Sequence, residues 1–130
     1  MRPVLVLAVV VPPLALLAGP GDKPLAPVEA RKRVGQEVTV EMVVRASKDR
    51  LERRGEIYLD SEEDFKDEKN LAVVLNRAGA ARFKKAGIDD PAGHFKGKTI
   101  RVTGTVVLHE GRPRIVVEDP KQVRIVPKQD

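Results

Sequence analysis

From Gly97 to Val126 the chain reads GKTIRVTGTVVLHEGRPRIVVEDPKQVRIV, with apolar and polar residues taking turns through three short runs parted only by HEG and EDPK. A period of two puts alternate side chains on opposite faces of an extended strand, so the pattern describes half-buried strands joined by tight turns. Ile100, Val102, Val106 and Leu108 take one face, and Arg101, Thr103, Thr105 and His109 the other. Gly104 interrupts the apolar face, where a glycine marks a bulge or a bend. His109-Glu110-Gly111 is short enough to close a hairpin. The next strand directs Ile115 and Val117 inward and Arg114 and Glu118 outward, with Pro113 at its start or on an edge. Asp119-Pro120 then turns the chain into a last apolar pair, Val123 and Ile125.

The same reading applied upstream finds Val38, Val40, Met42 and Val44 alternating with Thr39, Glu41 and Arg45. Ser47 to Gly55 (SKDRLERRG) is charged, ends in glycine and is expected to be an exposed loop. A short second strand follows at Glu56 to Leu59, then the acidic run DSEEDFKDEKN from Asp60 to Asn70, then a third strand at Leu71 to Leu75. In AGAARFKKAG the period changes. Ala80, Phe83 and Ala86 share one face of a short helix, Arg82, Lys84 and Lys85 lie outside it, and Gly87 is its stop. The order is three strands, one helix, two strands and a short extension. One short helix cannot cover five strands laid out as an open sheet. The expected fold is therefore mainly β, a five-stranded barrel capped by one helix between strands 3 and 4.

Certain phrases add a resemblance. Phe95-Lys96-Gly97-Lys98 running into Ile100 to Val106, then Gly111-Arg112-Pro113 and Ile115 to Pro120, resembles the fourth and fifth strands of small OB-fold (oligonucleotide/oligosaccharide-binding) proteins. Val34 to Val40 resembles their opening strand, and the likeness spans some 90 residues, on the order of one small domain. With an apolar leader in front, the chain also resembles, more loosely, the bacterial periplasmic OB-fold family. The resemblance implies a ligand laid across strands 2 and 3 between the loops joining strands 1 to 2 and 4 to 5.

The leader, MRPVLVLAVVVPPLALLAGPG, has one cation at Arg2 and an uncharged run to Ala18, the layout of a signal peptide. The run is short for a span of about 20 residues and is broken by Pro12-Pro13. Residues 1–20 are expected to be removed, somewhere between Ala18 and Ala30, leaving no membrane span in the mature chain. Residues 21–31, rich in Pro and Gly, read as a linker and 32–130 as the OB-fold domain, periplasmic or secreted. The absence of cysteine excludes disulfides and thiolate chemistry. With residues 1–20 gone, 23 basic groups face 19 acidic ones, an excess that suits solubility and anionic partners alike.

Placed on the implied face, the ligand-binding candidates are Arg45, Arg53, Arg54, Tyr58, Arg101, Arg112 and Arg114. Lys48, Arg50, Val74 and His109 are their neighbours. Both flanking loops are basic, as a groove that tracks a phosphate backbone requires. Only Tyr58 of the four aromatics is expected to face outward; Phe83 and Phe95 read as core, and Phe65 lies in the acidic loop. That loop lacks the D-x-[DN]-x-[DN]-G spacing of an EF-hand and reads as solvated, so no metal or other cofactor is expected. His94 and His109 stand apart with no triad spacing, Glu110 has no identifiable partner, and no phosphate-cradling glycine loop is present. The expectation is an exported, non-enzymatic domain binding single-stranded nucleic acid or another anionic polymer such as an acidic polysaccharide. The alternative is a cell-envelope interaction domain that binds a protein or polysaccharide.

Overall fold

The computed structural model describes residues 23–128, so the leader lies outside the described residues. Seven strands form the sheet: β1 (Glu37–Val43), β2 (Ala46–Arg50), β3 (Glu56–Asp60), β4 (Ala72–Asn76), β5 (Thr99–His109), β6 (Arg112–Val117) and β7 (Val123–Ile125). Their order is β1-β5-β6-β4-β3-β2, with β7 added beside β5. All pairs are antiparallel except β4 with β6.

No ladder among the described residues joins the two ends of this order, so hydrogen bonding does not close the sheet into the expected five-stranded barrel. Its ends are instead two parts of one ribbon, since β1 and β2 are separated only by Val44 and Arg45. The Val44 N–H donates to the Lys98 carbonyl on the β5 side (2.9 Å), and the Arg45 N–H donates to the Asp60 carbonyl on the β3 side (2.9 Å). The chain thus changes partner within one residue, and the sheet curls around a single interior.

That interior is the set the alternation selects. Val38, Val40, Met42 and Val44 meet Ile57, Leu59, Val73, Leu75, Ile100, Val102, Val106, Ile115 and Val117. Two helices, not one, fill the end between β4 and β5: α3 (Arg77–Lys85) and α4 (Pro91–Phe95). The Asn76 side chain caps α3 by accepting from the Gly79 N–H, Asp90 caps α4 by accepting from the Gly93 N–H, and Pro91 suits the first position of α4. Phe83 and Phe95 meet edge to face, their ring centroids 5.8 Å apart. His94 sits on α4.

Four further expectations are corrected. Ser47 to Gly55 is β2 followed by the single-turn helix α2 (Leu51–Arg54), closed by Gly55 at φ 74. The stretch read as linker is built into the fold: the Leu25 N–H donates to Thr39 (2.8 Å), its carbonyl accepts from Glu41 (3.0 Å), and α1 (Pro27–Ala30) buries Ala30. Gly104 makes no bulge, for the β1–β5 register runs unbroken through it. A Cβ there would stand 2.7 Å from the Ile115 Cγ2, so glycine is needed where β6 crosses close. Leu108 is exposed because β5 outruns β1 and continues paired with β6 alone.

Candidate functional site

With Ile57, Leu59, Val73, Leu75, Ile115 and Val117 in the core, the register fixes the opposite face of the sheet as three rows. Ala46, Asp60, Ala72, Arg114 and Val107 form the first; Lys48, Tyr58, Val74 and Val116 the second; Arg50, Glu56 and Asn76 the third. Val74, expected at the surface, is fully buried between Tyr58 and Val116.

Arg114 lies lengthwise over this face. From the first row it passes the Tyr58 ring, its guanidinium 5.9 Å from the centroid, and its Nη1 donates to Glu56 Oε2 in the third row (3.0 Å). The Tyr58 hydroxyl donates to the other carboxylate oxygen, Oε1, at 2.6 Å. Burial alone would raise the Glu56 pKa. The Tyr58 hydroxyl and the Arg114 guanidinium together outweigh it and hold the carboxyl below its ordinary value of 4.5. Burial, and then the bond to Glu56, push the Tyr58 phenol up.

Beside this network is a buried polar knot of Asp60, Ser61 and Asn70. Asn70 Nδ2 donates to Asp60 Oδ1 (3.0 Å), its Oδ1 accepts from the Glu62 N–H (2.9 Å), and its carbonyl accepts from Arg31 Nε (2.8 Å). The Ser61 hydroxyl accepts from the Leu71 N–H (2.9 Å). Burial raises the Asp60 pKa against the opposing pull of Asn70, Lys48 and Arg114. The knot pins the base of the β3–β4 loop, and the loop carries Phe65 back over the sheet. The ring stays 43% exposed and has three cations near its centroid: Lys48 (5.2 Å), Arg112 (5.4 Å) and Lys66 (5.8 Å).

Sheet face, α2, the β3–β4 loop and the β5–β6 turn enclose one groove of about 860 Å³. Seven basic side chains line it (Arg31, Lys48, Arg50, Arg54, Lys66, Arg112, Arg114) against five acidic ones (Glu56, Asp60, Asp67, Glu68, Glu110), with His109 and two aromatic rings. The structure brings Arg54, Tyr58, Arg112 and Arg114 together here. Arg45, Arg53 and Arg101 do not line the groove. Arg45 falls in the crossover between β1 and β2, and Arg101, on the β1 side of β5, binds Glu41 at 2.7 Å. Sequence reasoning missed Phe65 and Arg31. Nothing local marks either one: Phe65 stands amid acids, and Arg31 follows a proline-rich stretch.

No family description and no curated protein matches this chain. Among solved structures, an OBody bound to hen egg-white lysozyme superimposes with a TM-score of 0.56 at 15% identity, covering 84% of this chain and all of the other. The fold is the OB fold. Aspartyl-tRNA synthetase from Entamoeba histolytica matches with a TM-score of 0.56 at 12% identity over 82% of this chain. Asparaginyl-tRNA synthetase from Pyrococcus horikoshii, complexed with asparaginyl-adenylate, matches at 0.53 and 16% over 80%. This chain spans about a fifth of each synthetase, 21% and 22% respectively. The groove lies where an OB fold receives its ligands, across strands flanked by two loops.

Proposed function

We propose that this chain is an exported, non-enzymatic OB-fold domain that binds an extended anionic polymer, single-stranded nucleic acid above all, in the Tyr58–Phe65 groove. The observation that carries the reading is the exposed Phe65 ring ringed by Lys48, Lys66 and Arg112. Single strands are held by this combination, cations for the phosphates and a ring on which a base stacks. The titratable groups at the centre serve structure: Glu56 is neutralised by Arg114 and bonded by Tyr58, which suits a binding floor better than a reacting centre. Export is proposed on the leader.

The test is a fluorescence titration of labelled oligothymidylate at two salt concentrations. Binding should weaken steeply with salt. Arg112→Ala should lower the salt slope by roughly 0.7, one phosphate contact to a single strand, and Phe65→Ala should cost about 1–3 kcal/mol. Absence of binding at low salt, or binding indifferent to salt, would exclude this reading. A second reading, an envelope domain that grips a protein, is favoured by Leu108, 56% exposed on the hairpin that carries His109 and Arg112, and by the OBody found bound to lysozyme. It predicts that Leu108→Ser abolishes capture of an envelope protein while Phe65→Ala does not.

A further inference from the structure

The groove's two ends differ in charge. At one end is the β3–β4 loop with Glu62, Glu63, Asp64, Asp67 and Glu68. At the other, β3 begins and β4 finishes side by side, Glu56 paired with Asn76, so the residues flanking that pair, Gly55 and Arg77, emerge together. A Cβ built on Gly55 would lie 3.0 Å from Arg77 Nε, which places the Arg77 side chain against the glycine that closes α2. Exposed Arg53 and Arg54 occupy the last turn of that helix, and Arg54 reaches the groove.

Arg77 packs over Gly55, but no charge partner among the described residues accounts for its guanidinium. It is the first residue of α3, whose first turn holds no acid, and a cation there opposes the positive end of the helix. None of the ion pairs among the described residues includes Arg53, Arg54 or Arg77. The acids on the neighbouring strand ends are engaged elsewhere: Glu56 with Arg114 and Tyr58, and Glu118 with Asn76 Nδ2 at 2.6 Å. Glu52 is the one acid on α2.

We infer that a strand bound in the groove runs out of it past Arg54 at the α2 end, where Arg53 and Arg77 hold its phosphates in an anion subsite beyond the groove proper. This rests on the nucleic-acid reading above and adds a direction and a length to it. The acidic loop repels the strand from the opposite end, and a ligand too short to pass Gly55 gains nothing from Arg53 and Arg77.

The experiment compares oligothymidylates of about four and about twelve nucleotides, lengths that bracket the range one OB fold contacts. The full chain, Arg77→Gln, Arg53→Gln and Arg112→Ala are each titrated. Arg77→Gln and Arg53→Gln should each weaken the long oligomer about threefold to tenfold and lower its salt slope by roughly 0.7, leaving the short one within about twofold. Arg112→Ala should weaken both. Equal losses for both lengths, or none for either, would overturn the subsite while leaving the groove reading intact. If wild type binds neither oligomer at low salt, the groove reading falls and takes the subsite with it. The Tm of Arg77→Gln should equal or exceed that of wild type, since a misplaced charge is removed; a marked fall would show that Arg77 is kept for the fold and would overturn the inference.

Discussion

Glu56 and Asp60 sit on one strand of one groove, and their titrations pull stability in opposite directions. Glu56 has its pKa lowered in the folded chain, so its contribution is present above the unfolded value near 4.5 and is lost as pH falls through the folded value. Asp60, raised by burial, behaves in reverse: its stabilisation exists below the unfolded value near 3.8 and is lost as pH rises through the folded one. Thermal melts over an acid-to-neutral series should therefore show Glu56→Gln below wild type at neutral pH and converging with it in acid. Asp60→Asn should melt above wild type at neutral pH and lose that gain in acid; a gain independent of pH would remove burial of the charge as its cause. Gly79 gives a steric prediction. In a helix interior Gly→Ala commonly stabilises by about 1 kcal/mol, yet a Cβ here would stand 2.3 Å from the Val117 carbonyl oxygen. Gly79→Ala should instead destabilise by about 1–3 kcal/mol, the scale of overpacking, read as a lower urea midpoint. Tyr58 was legible as an outward residue because its neighbours Ile57 and Leu59 alternate with it. Phe65 was not, because what returns it to the groove is Asn70, a residue whose bonds to Asp60 and Glu62 exist only after folding.

Elements were legible wherever one face is dry and the other wet. β1, β3, β5 and β6 carry that alternation in their burial. β2 does not: ASKDR is a terminal strand of the sheet, paired only with β3, and its inner side meets α4 through the Ser47 hydroxyl donating to the Ala92 carbonyl (2.8 Å). With no apolar partner to demand an apolar face, its charges read as loop. α4 escaped because PAGHF spans little more than one turn, too short for a 3.6-residue period to repeat. The β5–β6 turn was placed correctly, and its geometry allows a test. Both Glu110 (φ 52) and Gly111 (φ 78) are left-handed, as a two-residue type I′ hairpin requires. Glutamate is poorly suited to that region and asparagine well suited, so Glu110→Asn should raise stability by about 0.5 kcal/mol, measured by denaturant titration.

At the scale of the molecule, the succession of strands along the chain and their curling follow from patterning, whereas the groove depends on where the first ribbon crosses from one partner to another, which patterning leaves unspecified. Val44 and Arg45 send consecutive backbone groups to opposite partners, and that single crossover brings the β2 cations beside Tyr58 and Arg114. It also explains why the seven candidates divide: four sit on the face that β3 and β6 share with α2, and Arg101 is left on the β1 side with Glu41. The backbone bonds of Leu25 narrow the processing expectation as well. If the leader is removed as proposed, a mature terminus that keeps this pairing lies before Leu25, and intact-mass spectrometry should find cleavage between Ala18 and Pro24; a terminus beyond Leu25 would mean that the strap on β1 is dispensable. The most direct measurement of the account is an NMR map of backbone amide shifts as oligothymidylate is added to the chain. Perturbations should be confined to β2, β3, β6, the Phe65 loop, the Glu110 turn and the Gly55–Arg77 end. Shifts concentrated instead on α4, β1 and β7, with Tyr58 and Phe65 unmoved, would contradict it.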